Sequence, residues 1–291
     1  MELLQLKYFQ VVARMQHMTK ASEYLKIAQP SLSKTISNLE KDLGVKLFDR
    51  KGKYIVLNEY GSIFLKRVDE ALSAIDTGKK EICDLIEDST YEVKLLVLAC
   101  SSLIPDLLGD FRNINPNIRF KIFQTIPEGS TLDKFDLCLS ATDTYIPKEN
   151  SILLLDEEIF LAIPTNHKFT KFDSVSLKDV SKENFISLKK GKGFRDITDD
   201  FCQLCGFVPN IIFESDNPST VRDFISGNKG IGFFPGISWR LNSNSDVKLI
   251  SIRDFKCRRI IEISWNSSKY MSDIVRLFRD FTVDFFNNLR A

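Results

Sequence analysis

Leu3, Leu6, Phe9 and Ala13 recur at helical spacing, which predicts a first helix ending near Met15. Thr19 offers an N-cap oxygen for a second short helix, in which Ala21 and Leu25 share one face. Pro30 disfavours helical geometry at Gln29 but suits the first turn of a new helix, so a tight turn is expected at residues 27–29. The third helix, about 30–43, turns Leu32, Ile36, Leu39 and Leu43 inward and leaves Ser31, Ser33, Lys34, Ser37 and Asn38 on the opposite side. Gly44 ends it. Lys46-Leu47-Phe48 and the alternating Tyr54-Ile55-Val56-Leu57 then flank the basic turn Arg50-Lys51-Gly52-Lys53, the pattern of a small hairpin with a positive tip.

A long helix without proline follows over about 59–87, opened by Asn58 as a cap. Leu65, Val68, Leu72, Ile75, Lys79, Ile82 and Ile86 alternate spacings of three and four along it, a coiled-coil seam broken once by Lys79. Pairing with a second copy would bury that stripe; packing on the rest of the same chain is the other solution.

From Tyr91 the texture changes to short apolar runs alternating with helical patterns. Strands are expected at 93–99, 119–123 and 136–139, with a helix from Leu103 to Phe111 between the first two. Ile159 to Ile163 is read as a separate strand opening a second lobe, which continues through strands at 185–188, 210–214 and 231–235 and helices at 197–205 and 219–225. A strand at 260–265 and a helix at 272–289 return to the first lobe. The whole divides into 1–58, a helical module with a basic hairpin; 59–90, a linker helix whose seam suits dimerisation; and 91–291, a two-lobed α/β domain with a cleft.

The 291 residues are enough for more than one core, and 43% hydrophobic with 27% charged residues excludes a disordered chain. Net charge is only +1, yet Lys34, Lys41, Lys46, Arg50, Lys51 and Lys53 cluster, so one end offers a basic surface. A solvated helix face would give the same cluster. Neither a signal peptide nor a membrane span is visible, so a cytoplasmic location without membrane association is expected. Six sparse cysteines suggest reduced thiols rather than a disulfide framework.

The ungapped run from Thr19 to Arg50, with Ala21, Leu25, Gln29-Pro30-Ser31-Leu32-Ser33, Ile36, Leu39-Glu40, Leu43-Gly44 and Leu47-Phe48, resembles the signature of the LysR-type transcriptional regulators. Weaker matches follow at Leu103-Ile104-Pro105 to Phe111 and at Gly230-Ile231-Gly232 to Pro235, so the resemblance spans nearly the whole chain. It implies an α/β protein with an N-terminal winged helix-turn-helix, a long dimerisation helix and a periplasmic-binding-protein-like effector domain. It further implies double-stranded DNA as a partner, a small-molecule effector, self-association as a dimer or tetramer, and no cofactor.

Carried over by position, Thr19, Gln29, Pro30, Ser31, Ser33 and Lys34 face DNA, with Arg50 and Lys53 reaching the phosphates from the wing. Gln29 suits an adenine edge, and Lys34 stands where the family usually has arginine, which removes a bidentate fork. For the effector, the candidates are Cys100, Ser101 and Ser102 between strand and helix, Thr125 at a strand end, Phe194 and Arg195 in a turn before a helix, and Phe233 as an apolar wall. Arg195 suits a carboxylate, or a salt bridge to Asp199. The stretches 100–104 and 124–135 are shorter than the family's, which trims the first lobe and leaves open a DNA-binding dimer whose cleft does not respond to ligands.

No convergent catalytic set is present. Cys202 and Cys205 form the one CxxC, placed within or late in a helix rather than at a helix start, which argues against redox or metal chemistry. His17 and His167 lie far apart in sequence, and Gly230-Ile231-Gly232 lacks the third glycine of a dinucleotide fingerprint. A solute-binding protein is the other class, disfavoured by the missing export signal and by the N-terminal module.

Overall fold

The computed structural model describes residues 1–51, 54–84, 91–127, 131–191, 193–239 and 246–289. The chain folds into two compact units, one of Met1–Ser89 with Ile126–Lys134 and Ser268–Ser272, the other of Thr90–Thr125, Phe135–Ser267 and Asp273–Ala291.

The first unit carries helices α1 (Leu3–Met15), α2 (Met18–Leu25) and α3 (Gln29–Leu43), a hairpin of β1 (Phe48–Lys51) and β2 (Tyr54–Leu57), and the long α4 (Glu59–Asp84). Phe9, Val12, Ala21, Leu32, Ile36, Leu39 and Leu47 form its core. Three helix ends use the left-handed conformation, Gln16 at φ 48°, Lys26 at φ 55° and Gly44 at φ 72°, and the turn at Lys26 lets α2 and α3 pack across each other. The α2 start differs from expectation: His17, not Thr19, is the N-cap, its Nδ1 accepting the Lys20 amide at 3.3 Å. A ring nitrogen replaces the usual hydroxyl, and the helix begins earlier than a Thr19 cap would allow. Asn58 caps α4 as expected, its Oδ1 accepting the Gly61 amide at 2.9 Å.

The apolar seam of α4 divides in two. Val68 and Leu72 are buried against the helices of the same unit, whereas Ile75 and Ile82 are 40% and 61% exposed. Ile86 lies outside the described residues.

The second unit is built on β3 (Tyr91–Val97), α5 (Ile104–Ile114), β4 (Ile118–Phe123), β5 (Leu137–Thr142), β6 (Ser151–Pro164), β7 (Ser174–Val175), β8 (Asn184–Leu188), α6 (Gly193–Leu204), β9 (Asn210–Ser215), α7 (Pro218–Ser226), β10 (Gly232–Pro235), β11 (Val247–Ile252), β12 (Arg258–Ser264) and α8 (Asp273–Asn288). One sheet of order β4-β3-β5-β12-β6-β11-β7 runs through both lobes, with β10 also pairing with β6 and a small parallel β8-β9 pair beside it. The first lobe packs α5 and α8 on β3, β4 and β5 through Phe111, Phe120 and Phe278, whose rings lie 4.8–6.2 Å apart. The second lobe centres on Leu161, Phe185, Ile225, Phe234 and Ile250.

Here the strand expected at Ile159 to Ile163 proves to be the end of a single 14-residue strand, β6, that belongs to both lobes. Asp156-Glu157-Glu158 interrupts its apolar pattern, but β12 lies antiparallel with Arg258 opposite Glu158 and Arg259 opposite Glu157, so cross-strand cations carry the acids through the sheet. β7 and β11 were not anticipated. Between β4 and β5 only a single 3-10 turn, Leu132–Lys134, occurs among the described residues, in line with a trimmed lobe.

Candidate nucleic-acid interface and lobe junction

The face of α3 opposite Leu32, Ile36 and Leu39 is open to solvent: Gln29, Pro30, Ser31, Lys34 and Asn38 are exposed, and Ser33 is half-buried. Thr19 and Lys20 are exposed at the start of α2. The two helix starts thus present short polar groups and cations with no bulky side chain, a surface that fits a major groove. Arg50 lies in β1 opposite Ile55 of β2; its side chain and the whole of Lys53 fall outside the described residues. Tyr54, not singled out in the sequence, is 61% exposed at the start of β2 and meets the His17 ring edge-on at 5.8 Å, which ties the wing to the start of α2.

The wing is held to α3 from below. Glu40 is buried and accepts the Leu47 amide at 3.0 Å and the Lys46 ammonium at 2.6 Å. Asn58 donates to the Lys46 carbonyl at 2.9 Å, and Gly61 sits so close to Leu47 that a Cβ there would overlap the Leu47 carbonyl oxygen. These contacts fix the angle between α3 and the hairpin.

In the second unit a polar cluster forms where the lobes meet. Glu157 Oε1 accepts from Arg259 Nε at 2.7 Å and from Ser238 Oγ at 2.6 Å, and its Oε2 accepts the amides of Ile237 and Ser238 at 3.0 and 2.8 Å. Arg259 Nη2 also donates to Ser238 Oγ, and Ser102 of the first lobe donates to the Ser238 carbonyl of the second. The Arg259 guanidinium lies 4.7 Å from the Phe194 ring centre, and Phe194 in turn packs on Trp239 at 5.1 Å. Cys100, at φ 52°, completes the first-lobe side; burial pushes its thiol up to about 12 against the lowering pull of Arg259.

Of the residues singled out for an effector, Cys100, Ser102 and Phe194 come together at this junction, with Ser101 half-buried in the same turn. Arg195 does not offer a cationic wall. It is buried and spent on Asp199 at 2.7 Å, Glu214 at 2.8 Å and the Leu188 carbonyl at 2.9 Å, because its place in the first turn of α6 aims it back at β8 and β9. Phe233 is buried as well, stacked on Phe185 at 5.9 Å in the second-lobe core. Thr125 lies exposed in a bend after β4. Glu157, Ser238 and Arg259 were missed by sequence reasoning; the one signal was the Asp156-Glu157-Glu158 run matched by Arg258-Arg259.

Cys202 and Cys205 face Cys257 in the second-lobe core, and burial raises all three thiols, Cys202 and Cys257 to about 12. A reactive CxxC needs the opposite shift. Among the described residues no group of three or more His, Cys, Asp or Glu is placed to hold a metal, and no helix is long and apolar enough to cross a membrane.

Residues 3–62 match the family model described as "Bacterial regulatory helix-turn-helix protein, lysR family", and residues 88–287 match "LysR substrate binding domain". The chain belongs to the LysR family. It is 36% identical to the uncharacterised HTH-type transcriptional regulator YybE of Bacillus subtilis (strain 168), over 99% of this chain and 100% of that one. It is 27% identical to the transcriptional dual regulator GltC of the same organism, over 99% of each. A full-length OxyR variant from Pseudomonas aeruginosa shares the fold with a TM-score of 0.65 at 20% identity, covering 97% of this chain and 94% of that one. As a LysR-family member the protein is a DNA-binding transcriptional regulator rather than an enzyme, with a helix-turn-helix, a helical dimerisation region and a two-lobed α/β effector-binding domain.

Proposed function

We propose that this LysR-family regulator works as a dimer or tetramer that reads a palindromic operator, and that a small molecule at the lobe junction alters that binding. In this reading residues 1–58 hold the DNA, with Thr19, Gln29, Pro30, Ser31, Ser33 and Lys34 in the major groove and Arg50 and Lys53 on flanking phosphates. Residues 59–90 pair two copies, and 91–291 take the effector. The observation that carries the DNA-binding part is the polar, exposed side of α3 against an inner side of Leu32, Ile36 and Leu39, where the buried Glu40 is spent on the wing. The exposed Ile75 and Ile82 of α4 support pairing with a second copy, which places two recognition helices on two half-sites.

The ligand-responsive part rests on the Ser102 to Ser238 bond, since a molecule inserted there touches both lobes at once. A regulator indifferent to ligands is the second reading, favoured by the mutual satisfaction of Ser102, Ser238, Glu157 and Arg259. Selection of sheared genomic DNA by the purified protein, with and without a panel of small metabolites, tests both. Enrichment of one palindromic site supports the DNA-binding reading and its loss or gain with one compound the effector reading; enrichment of no site overturns the first.

A further inference from the structure

The lobe junction is built around charges that already cancel. At the junction Arg259 is buried against Glu157, one cation to one carboxylate, while Arg195 is held away from it by Asp199 and Glu214. Asp156 and Arg258 on the same strand pair match one another at 2.7 Å. Glu157 is itself almost wholly out of water and accepts from two amides, a hydroxyl and a guanidinium, so it cannot leave Arg259 without stranding a buried charge.

The junction nevertheless retains donor capacity. Arg259 uses Nε and Nη2 internally, while its Nη1 makes no hydrogen bond to a described residue. Ser101 is half-buried between Cys100 and Ser102, and Phe194 and Trp239, tilted at 55° to one another, add apolar surface. A ligand offering an oxygen acceptor and a planar or apolar body meets these groups. A carboxylate brings a second negative charge next to Glu157, and no unpaired cation among Arg195, Arg258 and Arg259 balances it.

Resting on the reading that the junction takes a ligand, we propose that this ligand is an uncharged hydrogen-bond acceptor, such as an amide, ketone or neutral hydroxylated ring, and that Glu157 is the residue that excludes carboxylates. Glu157 acts as an internal counter-ion, occupying the arginine face that an anionic effector would need.

Matched pairs of equal shape and different charge test this on the full-length protein: benzamide with benzoate, and nicotinamide with nicotinate. Thermal unfolding is followed with each at millimolar concentration, for the wild type and for Glu157→Gln, which removes the charge and keeps one of the two acceptor oxygens. We expect no stabilisation of the wild type by either carboxylate, and a rise of a few degrees in the Tm of Glu157→Gln with a carboxylate, abolished in Glu157→Gln/Arg259→Gln. Carboxylate stabilisation of the wild type, or no gain in a folded Glu157→Gln, overturns the assignment. If Glu157→Gln does not fold, the wild-type panel decides: stabilisation by an amide upholds it, and stabilisation by a carboxylate or a silent panel overturns it. A panel silent for both proteins, neutral probes included, overturns the reading that the junction takes a ligand, whereas stabilisation of the wild type by a carboxylate overturns the Glu157 assignment alone.

Discussion

Glu40, in the last turn of α3, accepts the backbone amide of Leu47 at 3.0 Å and so ties the recognition helix to the first residues of the wing. Removing it leaves a buried N–H without a partner. Glu40→Ala is expected to cost about 1–3 kcal/mol in urea unfolding of the full chain and to weaken operator binding further than that loss of stability explains. Glu40→Gln keeps an acceptor for Leu47 and should cost distinctly less; equal effects of the two would place the stabilisation in the Lys46 ion pair instead.

Lys34 is exposed on α3, one turn beyond the equally exposed Pro30, and makes no ion pair with a described residue that would hold it away from a phosphate. Lys34→Ala should lower operator affinity and reduce the slope of log affinity against log salt by about 0.9, the signature of one lost phosphate contact. Ser33→Ala combined with Lys34→Ala should abolish discrimination for the operator while sedimentation and circular dichroism stay those of the parent. An unchanged salt slope removes Lys34 from the interface.

Leu72 and Ile82 share one stripe of α4 but have different neighbours. Leu72→Ala opens a hole in the core of the first unit and is expected to cost about 2–5 kcal/mol. Ile82→Glu places a charge on an exposed position, so it should leave the fold intact and shift sedimentation towards the monomer. A dimer undisturbed by Ile82→Glu would locate pairing elsewhere.

Cys100, Cys202 and Cys257 are held as neutral thiols, raised from 9.0 to about 12 by burial. Their unfolded counterparts ionise near 9.0, so the stability linked to these groups is complete below that pH and is lost as pH rises from there towards about 12. Unfolding midpoints should therefore fall across that window, and less so in Cys202→Ala. In the native state at about pH 8 iodoacetamide should leave all three unmodified, and reaction should appear only on unfolding.

The winged helix-turn-helix was legible because its determinants lie within a turn or two of each other. Leu32, Ile36 and Leu39 set the buried side of α3, Pro30 sets its first turn and Gly44 its end. The His17 cap escaped notice because histidine rarely takes that role, although Thr19 sits close enough to suggest the right helix. The seam of α4 was readable as a stripe, but its division after Leu72 depends on α1 covering one half, a packing fact no period contains.

Local periodicity, caps and turns by themselves determined the elements, namely three short helices, a hairpin, a long helix and alternating strands and helices, while the run from Thr19 to Arg50, through its resemblance to the LysR-type signature, determined the DNA-binding class. Tertiary structure alone decided the chemistry of the lobe junction. Glu157 and Arg259 are 102 residues apart in the chain and meet only because β6 and β12 pair in one register, while Arg195 is drawn away by Glu214 on a neighbouring strand. Local sequence sets which conformation each segment prefers, but the partner of a buried charge is chosen by strand register and lobe packing, where desolvation makes an unpaired ion too costly to leave.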